Sequence, residues 1–154
     1  MLGSLIAVLG TLLGSVSTHL FQQRATERTE ARAREGLLRQ ERLAAYSGFA
    51  AAVTELKRAV VTVRLRRSDP AALDAALAEA DRLGALAETA RFRLLLVSGR
   101  PEPLADAAFA CVGALHEAAD RSDLRDREAE FETAVAAFIA AAADRLAVAP
   151  RSAR

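Results

Sequence analysis

Apolar residues recur every three or four positions through most of this chain, and all four prolines fall between or after the stretches that carry this spacing. Such a period is typical of helices that bury one face. Proline breaks a helix when it lies inside one, so its placement between the stretches fits the same reading. Alanine and leucine, which favour helix, make up much of the 52% of residues that are apolar. The sequence therefore predicts an all-α fold.

Four amphipathic helices are predicted within residues 40–149, joined by short connections that make neighbouring helices antiparallel. The prediction is an up-down four-helix bundle. The predicted inward residues are Tyr46, Phe49, Val53, Leu56, Val60 and Val63 in the first helix, Leu73, Leu77, Ala80, Leu83, Ala87, Ala90, Leu94 and Val97 in the second, Leu104, Ala108, Cys111 and Leu115 in the third, and Phe131, Val135, Phe138, Ala142 and Leu146 in the fourth.

The helix ends carry their own signals. Ser68-Asp69-Pro70 offers a capping side chain followed by proline in the first turn of the second helix. Gly99 suits the left-handed position that ends this helix, and Pro101 follows it. The third helix is expected from about Pro103 to Ala119, and residues 120–123 are expected to form the turn before the fourth.

Residues 2–21 contain no Asp, Glu, Lys or Arg. About twenty helical residues span roughly 30 Å, which is the thickness of a bilayer core. We therefore predict a transmembrane anchor over residues 1–21. The alternatives are a buried core helix or a weakly held surface segment. A cleaved signal peptide is not favoured, because no Lys or Arg precedes the apolar run.

The residues that flank the anchor predict its orientation. No arginine precedes it, so the excess of arginine after it places the C-terminal body in the cytoplasm of a single-pass protein of the cell membrane. Small residues at four-residue intervals, Gly10, Gly14 and Thr18, would let two anchors pack as a homodimer, although glycine is also common in membrane helices that do not pair. The arginines after the anchor are Arg24, Arg28, Arg32, Arg34 and Arg39.

Residues 22–39 are rich in charge and lack an apolar stripe. Glu30 with Arg34, and Glu35 with Arg39, are pairs spaced by four residues that support an isolated helix. This stretch is predicted to be a solvated helical stalk. The predicted organisation is thus an anchor at 1–21, a stalk at 22–39, the bundle at 40–149 and a tail at 150–154.

The sequence shows no pattern that specifies catalysis. It has neither a GxSxG nucleophile turn nor a GxxxxGK[ST] phosphate loop, so no enzyme activity and no cofactor are expected. His116 and Asp120 share a helix face, where a divalent metal could bridge them, but zinc or di-iron would need two more ligands. An exposed helix end is the preferred interpretation. Cys111, the single cysteine, is expected to be a buried small hydrophobe.

Five basic residues gather towards the end of the first bundle helix, at the tip of the bundle farthest from the membrane. They could bind phosphates or an acidic partner. A solvated helix end with cations near its C-terminal dipole explains them as well. With a net charge of +1, the chain as a whole predicts no bulk attraction to nucleic acid. These candidate partner-binding residues are Lys57, Arg58, Arg64, Arg66 and Arg67.

The stretch GTLLGSVSTHLFQQRATERTEARAREGLLRQERLAAYSGFAAAVTEL resembles the N-terminal third of small, uncharacterised membrane-anchored helical proteins of actinobacteria. The shared features are a glycine-containing anchor, a Glu/Arg-rich stalk and a helix start matched here by Arg42, Tyr46 and Phe49. The resemblance implies a cytoplasmic helical body on a single membrane anchor. It implies no activity and no functional residues.

Together these features predict a membrane-tethered cytoplasmic interaction or scaffold module of unknown pathway. Its expected partners are the lipid bilayer and an unidentified protein, with nucleic acid not expected. The alternative is a membrane-anchored protein that binds metal through the His116 and Asp120 region, or nucleic acid through the tip at Arg64–Arg67.

Overall fold

The computed structural model describes the backbone of residues 2–147 and the side chains of residue 30 and residues 32–147. Within that part of the chain the backbone forms four α-helices and no strand, which confirms the prediction of an all-α protein. Two compact units divide the chain, one up to Gln40 and the other from Glu41 onward. The helices are α1 (Leu2–Leu65), α2 (Pro70–Ser98), α3 (Pro103–Leu115) and α4 (Arg121–Ala147).

The first unit consists of the helical backbone of α1 up to Gln40. An Arg34 guanidinium nitrogen lies 3.4 Å from a carboxylate oxygen of Glu30, as the four-residue spacing predicts, and both side chains are largely exposed. The predicted anchor, including Gly10, Gly14 and Thr18, lies outside the described side chains. Over the residues that were described, no helix is both long and apolar enough to cross a membrane. The transmembrane anchor therefore remains a prediction from sequence.

The second unit is a helical bundle built around three phenylalanines. Phe49 of α1 and Phe131 and Phe138 of α4 are each at most 1% exposed. The Phe49 and Phe138 rings meet edge to face with their centroids 5.1 Å apart, a favoured aromatic arrangement. All six residues predicted to face inward on α1, and four of the five on α4, are buried. Periodicity therefore identified the main faces of the core.

Contacts between α1 and α4 show that these two helices are antiparallel. Lys57 of α1 lies beside Glu128 and Glu132 of α4, whereas Tyr46, earlier in α1, meets Arg145, later in α4. Residue numbers thus fall along one helix as they rise along the other. Arg91 of α2 pairs with Asp106 of α3 across the short connection between those helices, at 3.1 Å.

The ends of α2 match the sequence signals. The Asp69 carboxylate accepts a hydrogen bond from the Ala72 backbone nitrogen, and Pro70 begins the helix. Gly99 has a φ of 65°, in the left-handed region that favours glycine, and its N–H donates to the carbonyl of Leu95. The turn between α3 and α4 lies earlier than predicted, at residues 116–120, because the Asp120 carboxylate accepts from the backbone nitrogens of Ser122 and Asp123 and so caps α4.

The inward face of α3 differs from the prediction. Ala105, Ala108, Val112 and Leu115 are buried, whereas the predicted Leu104 and Cys111 are only half-buried. Two neighbouring apolar stripes on this helix share the same period, and the one with the smaller side chains packs inward, where it lets α3 approach α4 closely. Leu77 of α2 is another correction, since it is 41% exposed.

Candidate interaction surface

One acidic residue lies in the core of the bundle. Glu102 is 4% exposed, and it is the one polar or charged residue that is buried among the described side chains. It stands between Pro101 and Pro103 in the α2–α3 connection, with φ −120° and ψ 76°. Proline disfavours a helical conformation in the residue before it, so Pro103 holds Glu102 out of the helix. The Glu102 side chain makes no capping hydrogen bond to α3 and instead reaches α1 and α4.

Three side chains from different parts of the bundle contact the Glu102 carboxylate. The Tyr46 hydroxyl donates to Oε1 at 3.0 Å, Arg145 donates to Oε2, and the Arg100 Nε lies 3.7 Å from Oε1. The hydrogen bond to Glu102, followed by that to Tyr46, raises the pKa of Arg145 above its usual value. A buried carboxylate with these partners avoids the large cost of an unpaired charge. We call Tyr46, Glu102 and Arg145 the Glu102 network.

Three surface cavities adjoin this network. A cavity of about 290 Å³ between α2 and α3 is lined by Glu102, and a larger one of about 510 Å³ is lined by Tyr46 and Arg145. The third, again about 290 Å³, is a groove between α1 and α4 that also includes Tyr46. The second and third cavities share Tyr46 and Leu146, so they form one continuous surface, which we call the Glu102 face.

Large apolar side chains are exposed on the Glu102 face. Leu43 and Ile139 line the α1–α4 groove and are 54% and 51% exposed. Grouped exposed apolar residues of this kind are typical of surfaces that bind another molecule. The Glu102 face therefore combines apolar area, concave shape and charge, as protein-binding sites do.

Two of the five predicted partner-binding basic residues make contacts within the bundle. The Lys57 ammonium lies 3.2 Å from Glu128 and 3.1 Å from Glu132, and 5.7 Å from the centre of the Phe131 ring. Burial lowers the pKa of Lys57, but hydrogen bonds and attraction from the two glutamates outweigh it, so the pKa is raised. Glu128 and Glu132 of α4 thus hold the Lys57 ammonium against the bundle.

Arg64 donates to the backbone carbonyls of His116 and Ala118 just beyond α3. Cations suit the C-terminal end of a helix, so this contact stabilises the end of α3. Arg58, Arg66 and Arg67 are exposed. The role of this group in binding a partner stays a prediction.

The two residues considered for a metal, His116 and Asp120, are the first and last residues of the α3–α4 turn and, contrary to the prediction, do not share a helix face. His116 is exposed, and the Asp120 carboxylate is used by the backbone nitrogens that it caps. In the described part of the chain, no three His, Cys, Asp or Glu residues are grouped so that they could hold an ion. Cys111 is half-buried on α3.

The sequence predictions missed the Glu102 network. Two signals were available. Tyr46 is the single tyrosine and lies on a buried stripe, where a hydroxyl needs a hydrogen-bond partner. A glutamate between two prolines is held outside both flanking helices and is free to turn inward.

Comparison with known proteins assigns the bundle to a protein family. Residues 43–146, more than half of the 154-residue chain, match the family model described as KilB plasmid transfer protein. The chain belongs to the KilB family. The KilB match includes all three residues of the Glu102 network, whereas the resemblance in the sequence analysis concerned mainly residues before the match. No curated protein and no solved structure matches the chain.

Proposed function

We propose that this KilB-family chain is a non-enzymatic helical interaction module that acts in plasmid transfer, and that its bundle binds a protein partner through the Glu102 face. The observation that carries the proposal is the family match, which coincides with the bundle and contains the whole Glu102 network. Further support comes from the exposed leucine and isoleucine of the α1–α4 groove, Leu43 and Ile139.

Plasmid transfer in the natural host tests this proposal. Deleting the coding sequence should lower the frequency at which donor cells transfer the plasmid, and the intact gene should restore it. The variant Ile139→Glu places a charge in the exposed groove without entering the core, and we expect it to restore transfer poorly. Leu86→Glu is the matched control, since Leu86 is exposed to a similar degree and does not line any of the three cavities. Unchanged transfer after deletion would refute the role in transfer.

We also propose that residues 2–21 tether the bundle to the inner face of the cell membrane. The support is their freedom from Asp, Glu, Lys and Arg, their length, and the excess of arginine that follows. Tethering would raise the effective concentration of the bundle for partners at the membrane. A reporter that is active only in the cytoplasm should work when fused after Arg154. High activity of alkaline phosphatase at the same position would place the bundle outside and overturn the orientation.

A further inference from the structure

The α1–α4 groove is apolar and short. Its lining includes Leu43 and Ala50 of α1, and Phe138, Ile139 and Ala142 of α4. Ala50 lies seven positions after Leu43, so the groove runs for about 10 Å along α1. That length accommodates two apolar side chains that lie one turn apart on a docked helix.

The end of this groove that holds Leu43 and Leu146 opens onto a charged cavity. Tyr46 and Leu146 line both spaces, which makes the groove and the 510 Å³ cavity neighbours. Three arginines and one aspartate also line the cavity. Counted with the buried Glu102 carboxylate, the charges there are three positive and two negative, a net of +1. The three arginines are Arg42, Arg100 and Arg145, and the aspartate is Asp144.

The three arginines differ in the ion pairs and hydrogen bonds that they already make within the bundle. Arg145 is hydrogen-bonded to Glu102, and Arg100 lies near the same carboxylate with its side chain 58% exposed. None of the ion pairs found among the described side chains involves Arg42. Arg42 and Arg100 can therefore contact an incoming carboxylate while Arg145 keeps its contact with Glu102.

Resting on the proposed function, we propose that the partner binds by one amphipathic helix that carries an acidic residue beside its apolar face. Two apolar side chains one turn apart fill the α1–α4 groove. An Asp or Glu one further turn along the docked helix reaches the cavity lined by Arg42 and Arg100. Apolar contact supplies most of the affinity, and the charge pair fixes the direction and the identity of the partner.

A display selection tests this partner class. A library of helical peptides with randomised surface positions is selected on the full-length chain in detergent micelles, with counter-selection on the Ile139→Glu variant. The enriched peptides should carry two apolar residues one turn apart and an acidic residue one turn beyond them. Enrichment of basic peptides, of peptides without an acidic residue, or of none at all would overturn the proposal.

Substitution of Arg42 separates the charge contact from the apolar one. Arg42→Ala should weaken binding of a selected peptide by about tenfold. Raising the salt concentration should weaken binding to the parent chain more than binding to the variant, which keeps only Arg100 for this contact. Arg93→Ala is the control, because Arg93 is also exposed but lies outside the charged cavity. Equal loss of affinity in both variants would mean that Arg42 contributes only to the general charge and would contradict the proposed contact.

Two other outcomes keep this proposal distinct from the proposed function. If Ile139→Glu impairs plasmid transfer while selected peptides lack the acidic residue, the partner class is wrong but the interaction module stands. A second copy of this chain is the alternative occupant of the α1–α4 groove. In that case, sedimentation in micelles will show a dimer that Ile139→Glu abolishes. This result would overturn the proposal of a helix from a different partner.

Discussion

The main contribution of Arg145 to stability is that it compensates the buried charge of the Glu102 carboxylate. Its partner Glu102 is buried, and the described bundle has no buried side-chain nitrogen or oxygen atom without a hydrogen-bond partner. Removing the guanidinium leaves the carboxylate with only the Tyr46 hydroxyl and the more distant Arg100. An uncompensated buried charge costs far more than a lost surface ion pair.

We therefore expect Arg145→Leu to destabilise the bundle by about 2–4 kcal/mol. The lower end of this range is expected because the Arg145 side chain is 32% exposed. Glu102→Leu combined with Arg145→Leu should cost less than Arg145→Leu alone, because the double variant buries no charge. Urea unfolding followed by circular dichroism measures both. Arg82→Leu, which breaks the exposed pair with Glu79, should leave unfolding unchanged. A double variant less stable than Arg145→Leu would contradict this view of the network.

Lys57 gives a pH-dependent prediction. Its pKa in the folded protein is raised above the ordinary value of 10.5, so its contribution to stability is complete below that value and is lost as the pH rises through the folded-state pKa. Lys57→Met keeps the apolar stem and removes the charge. The variant should be less stable than the parent by about 1 kcal/mol near neutral pH.

The difference in stability between the parent and Lys57→Met should narrow in strongly alkaline solution, because Lys57 of the parent then loses its charge as well. Thermal unfolding of both proteins near neutral pH and well above the ordinary lysine pKa provides the comparison. Arg58→Met, at the exposed neighbouring position, should show no such narrowing. A gap that widens with rising pH would show that the glutamates do not hold Lys57 as described.

Among the helices, the sequence predicted the buried faces of α1 and α4 best. The stripe on α1 and that on α4 are each dominated by large side chains, so the buried face of these helices has no close competitor. On α3 the apolar residues cover more than one stripe, and the choice between Leu104 and Ala105 depends on how closely α4 approaches. Local spacing holds no information about that distance. For the same reason, the pairing of Lys57 with α4 could not be deduced from α1 alone.

Glycine-to-alanine substitutions at the ends of α2 and α3 should change stability in opposite directions. Gly99→Ala puts a Cβ on a residue with φ 65°, and should destabilise the bundle by about 1 kcal/mol. Gly113 lies within α3, where an added Cβ meets nothing within 4 Å. Gly113→Ala should stabilise by about 0.5–1 kcal/mol, since alanine favours helix over glycine. Melting temperatures that move in the same direction would refute one of the two assignments.

At the scale of the whole molecule, the number of helices and the all-α class followed from the sequence, because each helix carries its own period and most carry their own end signals. The Glu102 face could not be predicted from the sequence, because it forms only where α1, the α2–α3 connection and α4 meet in space. Tyr46, Glu102 and Arg145 are separated by more than forty residues at each step. No local pattern links them.

A fragment of residues 34–154 includes every residue from which the described bundle is built, and we expect it to fold as a monomeric helical protein without a cofactor. The apolar faces of its helices cover one another. At the α3–α4 turn, Asp120 accepts a hydrogen bond from a backbone nitrogen and Arg64 donates one to a backbone carbonyl. Circular dichroism with and without a chelator measures the helical content, and sedimentation measures the oligomeric state. A fall in helical signal on chelation would show that a metal ion contributes to folding.

The dispersal of the Glu102 network along the chain also bears on the order in which the protein acquires its structure during synthesis. Tyr46 leaves the ribosome first and Glu102 later, but the carboxylate meets its main cation only when Arg145 has followed. Until then the region around Glu102 favours hydration over burial. A nascent or truncated chain that stops short of the end of α4 therefore keeps this end of the bundle open to water and to chaperones and proteases. In this way Glu102 makes closure of the bundle conditional on completion of its last helix.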